Sequence, residues 1–230
     1  MTGHHGGPRL LLGLAAVAVA FAAADTYVVV LALPDMMGSV GIPIDELQRG
    51  APIVSGFLLG YVAMLPLIGR IADLRGRVPV LVAALVVFAV GSLVTALSYD
   101  LTTLVVGRFL QGVGGGGLIP ATLALVADLY PVERRGVPLG IVSGVQELGS
   151  VVGPLYGAVI LAVSDWRVIF AVNLVVGLVL AVLISRAAPQ PPPGGSPGRP
   201  VRDQQGQPCG PGLDRRHQRA GQDLCARVGV

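Results

Sequence analysis

Residues 69 to 77 read Gly69-Arg70-Ile71-Ala72-Asp73-Leu74-Arg75-Gly76-Arg77, three arginines and an aspartate between two glycine-marked ends. On either side the charge vanishes: residues 52–69 and 78–99 hold no Asp, Glu, Lys or Arg. About 20 apolar residues cross the ~30 Å hydrocarbon core of a bilayer as a helix. The charged segment is thus a loop between two membrane spans, held at one surface because arginine and aspartate are costly within the lipid.

Working outward, hydropathy yields six spans, at roughly 10–33, 52–69, 78–99, 101–126, 137–163 and 168–185. The composition agrees, with 53% hydrophobic residues, 13% charged and a mean hydropathy of +0.75 over 230 residues. That is a membrane composition and excludes a soluble domain. The fold class is an all-α membrane protein: six transmembrane helices over 10–186, a short N-terminal segment 1–9 and a C-terminal tail. Arg9, the run Leu10 to Phe21 and Ala22-Ala23-Ala24 have the parts of a secretory signal. The apolar run resumes at Tyr27 to Leu33, however, and makes the stretch long enough to span.

All sixteen basic residues are arginine, and the net charge is +3. The excess lies in residues 187–230, so the basicity marks a tail and not a nucleic-acid-binding face. Arginines in short loops stay cytoplasmic. With the N-terminus inside, that side holds Arg9, Arg70, Arg75, Arg77, Arg134, Arg135 and Arg186, against Arg49 and Arg167 outside. The expected location is a bacterial plasma (inner) membrane with a cytoplasmic N-terminus.

From Ala187 the chain turns to Pro, Gly, Gln and Arg, beginning with Pro191-Pro192-Pro193. Such a segment buries too little apolar surface to fold and is expected to be disordered. It reads either as a Pro-rich linker or as out-of-frame translation of a GC-rich gene. Both cysteines, Cys209 and Cys225, lie there, and the histidines are His4, His5 and His217. The spans therefore offer no thiol or imidazole for a metal, a haem or a nucleophile. Ser55 and Ser143 precede glycines but have no His or Lys within the spans to activate them, so an enzyme is not expected.

Asp25, Arg108 and Glu147 fall inside spans one, four and five. Facing lipid, each would cost roughly 2.5 to 3.5 kcal/mol, together on the order of 8 to 10. They must face protein or water. A carboxylate opening alternately to two sides can load a proton on one and release it on the other, and Asp25 suits this task better than Glu147. Arg108 offers a fixed positive charge that favours the ionised form of whichever acid it approaches; the sequence leaves that acid open.

Gly149, Gly153 and Gly157 recur at every fourth position, a small-residue face for close helix packing, and Pro154 adds a bend. Glu147 lies about 200° around the helix from Gly149 and so points away from that face. Gly112 and Gly114 to Gly117, followed by Pro120, leave span four either closely approached or irregular.

These residues carry a resemblance. Gly69-x-Ile71-Ala72-Asp73-x-x-Gly76-Arg77 is similar to the G-x-L-A-D-R-x-G-R signature of the major facilitator superfamily, with Leu74 where a basic residue is usual. Asp25-Thr26 with Ala32-Leu33-Pro34 resembles a motif of the drug:proton antiporters with fourteen spans. Arg108-x-x-Gln111-Gly112 resembles the R-x-x-Q-G motif tied to proton coupling. Gly149-x3-Gly153-Pro154-x2-Gly157 resembles the antiporter motif, and Trp166-Arg167-x2-Phe170-x2-Asn173 a further fourteen-span signature. The finer texture around Asp25, Ser39 to Ile44 and Gln146 to Gly157 resembles actinobacterial efflux pumps that export triacylglycerides and drugs beside a lipoprotein.

The resemblance covers residues 10–186 and implies the following roles. Asp25 and Arg108 would couple protons, with no cofactor beyond the proton itself. Glu147 would line the central cavity or its outer gate. Gly69, Asp73, Gly76 and Arg77 would form the cytoplasmic gate, with Asp73 set against the positive end of a helix in a second bundle. Gly149, Gly153, Pro154 and Gly157 would form the antiporter face. Substrates would be lipophilic drugs or lipids, with a periplasmic lipoprotein as a partner. Such transporters rock two six-helix bundles about a central site, and only one bundle is legible here. The leading expectation is the N-terminal half of a proton-coupled exporter, truncated and inactive alone. A homodimer of half-transporters and a non-transporting membrane scaffold are the alternatives.

Overall fold

The computed structural model describes residues 7–187. The tail expected to be disordered, and residues 1–6, lie outside the described residues. Six helices follow in order: α1 Gly7–Ser39, α2 Leu47–Arg75, α3 Arg77–Ala96, α4 Leu101–Leu129, α5 Gly136–Val163 and α6 Arg167–Ala187. All six are long and apolar enough to cross a membrane. Short 3-10 turns, Ile44–Glu46 and Val132–Arg134, lead into α2 and α5.

Several of the expected boundaries shift, and two of these shifts have a plain local cause. α1 runs past Pro34 to Ser39 because the added turn carries Met36 and Met37 into a fully buried cluster with Ile53 and Trp166. The charged segment 69–77 is not a loop: α2 continues through Arg75 and α3 starts at Arg77, so Gly76 alone makes the turn. Gly76 has φ +86°, a region that L side chains rarely adopt and glycine enters freely. Gly69 sits within α2 with open space beside it.

α4 is the most buried helix and runs unbroken through its glycines. Those glycines are arranged on two faces. A Cβ at Gly112 or Gly116 would overlap the carbonyl oxygens of Phe57 and Tyr61 on α2, while one at Gly114 would meet Ala84 O and Phe88 N on α3. A two-residue step turns a helix by 200°, so alternate glycines admit α2 on one side and α3 on the other. The choice left open by sequence is thereby settled as close approach.

The Gly149, Gly153, Gly157 face does what its spacing requires. α5 lies against the α1 backbone so closely that a Cβ at Gly149 would strike Ala20 O, and one at Gly153 would come within 2.6 Å of Ala24 O. Gly157 faces Val28 one turn further on. Small residues permit such backbone approach where lipid offers no hydrophobic drive to association.

Two large apolar clusters fill the halves of the bundle, and a third, small one joins Leu12 and Ala16 to Val126 and Val142. Of the large two, one gathers Leu11 to Ala22, Ile68, Leu81 to Phe88, Leu118 to Leu125 and Ile184; the other gathers Val28 to Met37, Leu104, Ile169 and Phe170. Between them lies a buried polar layer of Asp25, Ser92, Thr95, Arg108, Gln111 and Asn173.

Candidate functional site

The polar layer is one connected network. Arg108 Nη1 donates to Asp25 Oδ2 at 2.8 Å, and both side chains are almost fully buried, 2% and 0% exposed. The same nitrogen donates to Gln111 Oε1 at 2.8 Å, one helical turn along α4. Gln111 Nε2 donates to Ser92 Oγ at 2.8 Å on α3, and the Ser92 hydroxyl donates to Phe88 O. On the other side of the ion pair, Asn173 Nδ2 of α6 donates to Asp25 Oδ1, and the Tyr156 hydroxyl of α5 donates to Asn173 Oδ1 at 3.4 Å. α2 contributes an aromatic face: the Arg108 guanidinium carbon lies 4.4 Å from the Phe57 ring centroid, with Phe170 at 5.8 Å. Every helix of the bundle contributes a residue to this network, α3 reaching the pair through Gln111 and α5 through Asn173.

The helices place these groups for local reasons. Gly107 and Gly91 let α4 and α3 meet beside Thr95 and Gln111, where a Cβ would collide with backbone. Asp25 sits one residue beyond Ala24, whose carbonyl faces Gly153, so the α1–α5 contact fixes its height. A buried charge pair is sustained only when further hydrogen bonds meet its remaining valences. Asp25 uses both oxygens and Arg108 Nη1 serves two acceptors, whereas Arg108 Nε has no partner among the described residues.

Beside this network opens a cleft of about 210 Å³, bounded by α1, α2, α4 and α5. Thr26, Tyr27, Phe57, Tyr61, Gly115 and Glu147 line it. Glu147 therefore faces away from the glycine seam, as its spacing demands. Asp25 and Arg108 come together and Glu147 does not join them. Phe57 contacts both the cleft and the guanidinium, which makes it the link between the two.

At the far end Arg77 donates from Nη1 to Asp73 at 2.6 Å and from Nε to Asp128 at 3.3 Å. This clip ties the end of α2 to the start of α3 and the end of α4. Asp73 keeps two-thirds of its side chain exposed.

Asn173, Gln111, Ser92, Thr95, Tyr156 and Phe57 were not singled out as site residues by sequence reading. For all but Phe57, the signal that could have found them is the lone amide or hydroxyl inside an apolar span, which must find a partner in the bundle.

Six spanning helices around a desolvated ion pair and a side cleft define a multi-pass membrane protein of the transporter class. The chain belongs to the Major Facilitator Superfamily, whose family profile matches residues 15–224. It is 47% identical to a triacylglyceride transporter of Mycobacteroides abscessus over 181 residues, 78% of this chain and 35% of that protein. It is 45% identical to a triacylglyceride transporter of Mycobacterium tuberculosis over 187 residues, 80% of this chain and 36% of that one. The chain thus spans about a third of the length of these relatives. Among solved structures, the fold is similar to an inward-facing bacterial homolog of the human lysosomal transporter Spinster, with a TM-score of 0.69 at 21% identity, covering 84% of this chain and 45% of that one. A D-xylose-proton symporter matches with a TM-score of 0.66 at 17% identity, over 83% of this chain and 49% of the other.

Proposed function

We propose that this chain supplies the N-terminal bundle of a proton-coupled exporter of lipophilic solutes, lipids or drugs, in a bacterial inner membrane with its N-terminus in the cytoplasm. The observation that carries the reading is the Asp25–Arg108 pair, a carboxylate whose only counter-charge in the buried layer sits on a different helix. Separating α1 from α4 at this level would leave Asp25 to bind a proton; bringing them together would favour its release. The lining of the Glu147 cleft, apolar apart from a few hydroxyls, the Gln146 amide and one acid, suits part of an amphiphilic solute. The names of the relatives support a lipid substrate.

The test is transport of a fluorescent lipid analogue into inverted vesicles, energised by a pH gradient, uptake by the vesicle reading export. The chain is expressed alone and together with the remaining segment of the Mycobacteroides abscessus relative. Gradient-dependent export that appears with the complementary segment and disappears in Asp25→Asn supports the proposal. Export by the chain alone, with cross-linking to a dimer, favours the homodimer. Export insensitive to both the gradient and Asp25 overturns proton coupling.

A further inference from the structure

At the arginine-bearing end of the bundle a second cleft, about 730 Å³, opens between the start of α1, the link following α4 and the start of α5. It shares no residue with the Glu147 cleft. Its walls divide by chemistry. Arg9 and Arg134 line it with a single acid, Glu133; the exposed apolar lining is Val137 and Ile141, over a floor of the buried Leu12 and Ala16. Neither arginine has a salt-bridge partner among the described residues.

The neighbouring arginine is committed elsewhere. Arg135 donates from Nε to Tyr130 O and from Nη2 to Ala127 O at 2.6 Å, closing the carbonyl end of α4. It stands as the N-cap of α5 without a side-chain cap, and the first turn of α5 holds no acid. The start of α5 therefore adds partial positive charge to the same cleft, as any uncapped helix N-terminus does.

We infer that this cleft is a binding site for an anionic phospholipid of the adjoining leaflet, with the headgroup phosphate held by Arg9 and Arg134 and an acyl chain along Val137 and Ile141. Two cations against one acid select a negative headgroup, and a cleft of this size lies in the ~300–1,000 Å³ range of ligand-sized cavities. The apolar wall distinguishes a lipid from free phosphate, which would gain nothing from it. Positive-inside counting puts this end of the bundle at the cytoplasmic surface, where anionic lipids attract basic residues. The inference does not depend on proton coupling or on the exported solute.

Native mass spectrometry of the full chain in detergent tests it, titrating phosphatidylglycerol, phosphatidylcholine and inorganic phosphate separately. Phosphatidylglycerol should bind in preference to phosphatidylcholine, and Arg9→Gln and Arg134→Gln should each weaken it about fivefold. Ile141→Asn should weaken phosphatidylglycerol and leave phosphate unaffected. Arg186→Gln, which removes the same charge outside the cleft, should change nothing. An equal loss in Arg186→Gln overturns the site in favour of general surface charge, and phosphate binding as tight as lipid overturns the lipid assignment. Should the glutamine variants unfold, Arg9→Lys and Arg134→Lys keep the charge and must retain binding; loss of binding in folded lysine variants, or none lost in folded glutamine variants, overturns the inference.

Discussion

Arg108 Nη1 lies 2.8 Å from Asp25 Oδ2 across 83 positions of sequence, and the same nitrogen holds Gln111. One guanidinium thereby joins α1 to the α4–α3 seam through the most buried polar layer of the bundle. Removing one partner of a buried pair strands the other charge and costs about 3–5 kcal/mol. Asp25→Asn and Arg108→Gln should therefore each destabilise the folded chain by that order. The double variant should lose less than the sum, because it strands no charge. Chemical denaturation in detergent, run as a double-mutant cycle, reads the difference; additive losses would show that the pair is not coupled.

Asn173 fixes the other oxygen of Asp25 and is itself held by Tyr156. Asn173→Ala should cost about 1–3 kcal/mol, the range for leaving a buried acceptor unsatisfied. Tyr156→Phe should cost at most ~1 kcal/mol, since its bond to Asn173 is long. Reversal of that order in unfolding midpoints would contradict the direction in which the network is built.

The glycines make a sharper contrast. Gly112→Ala and Gly149→Ala put a methyl group into backbone on α2 and α1, and overpacking that only helix displacement can relieve should cost about 1–3 kcal/mol or more. Gly69→Ala meets open space within α2 and should be neutral or stabilising by up to ~1 kcal/mol, the helix-propensity difference. A thermal-shift series on the three variants separates packing glycines from an unpacked one. Equal effects would rule out close approach as the reason for the glycine-rich faces.

How far these features can be read from sequence follows from what each depends on. The spans, the glycine seam on α5 and the side of α5 on which Glu147 lies depend on hydropathy and a 3.6-residue period, both local. The partner of Arg108 depends on how α1 and α4 dock, so no spacing within either helix names Asp25. The segment 69–77 looked like a loop because its charges are incompatible with lipid. Helix α2 nevertheless carries it beyond the apolar run, where arginine and aspartate are solvated and only Gly76 need break the helix. Asn173 and Gln111 were visible as motif letters, but their function as the two tethers of the ion pair exists only once α3, α4 and α6 converge.

Asp100 begins α4 from outside the spans. Its carboxylate accepts from the Thr103 hydroxyl at 2.6 Å and the Thr103 N–H at 2.9 Å. The Thr103 hydroxyl bond, then the backbone bond, hold the Asp100 carboxyl below its ordinary value of 3.8. A depressed acid contributes stability that is fully present above the unfolded value and lost as pH falls through the folded one. The contribution should thus be intact at neutral pH and disappear only below about pH 3.8. Asp100→Asn should keep the cap and flatten that acid limb, whereas Asp100→Ala should lower the midpoint at neutral pH. An acid limb unchanged in Asp100→Asn would remove Asp100 as its source.

Arg77 reaches Asp73 and Asp128 from the first residue of α3, yet both acids are largely exposed. Exposed ion pairs are worth about 0–1 kcal/mol, so Arg77→Gln and Asp73→Asn should each shift stability by no more than that. If Asp73 instead acts on a second bundle, as the family resemblance implies, Asp73→Asn should reduce lipid-analogue export severalfold at unchanged stability, and only when the complementary segment is present. The comparison is export rate against unfolding midpoint for the same preparation. A variant that loses both together would make Asp73 a structural residue of this bundle, and one that loses neither would remove it from the gate.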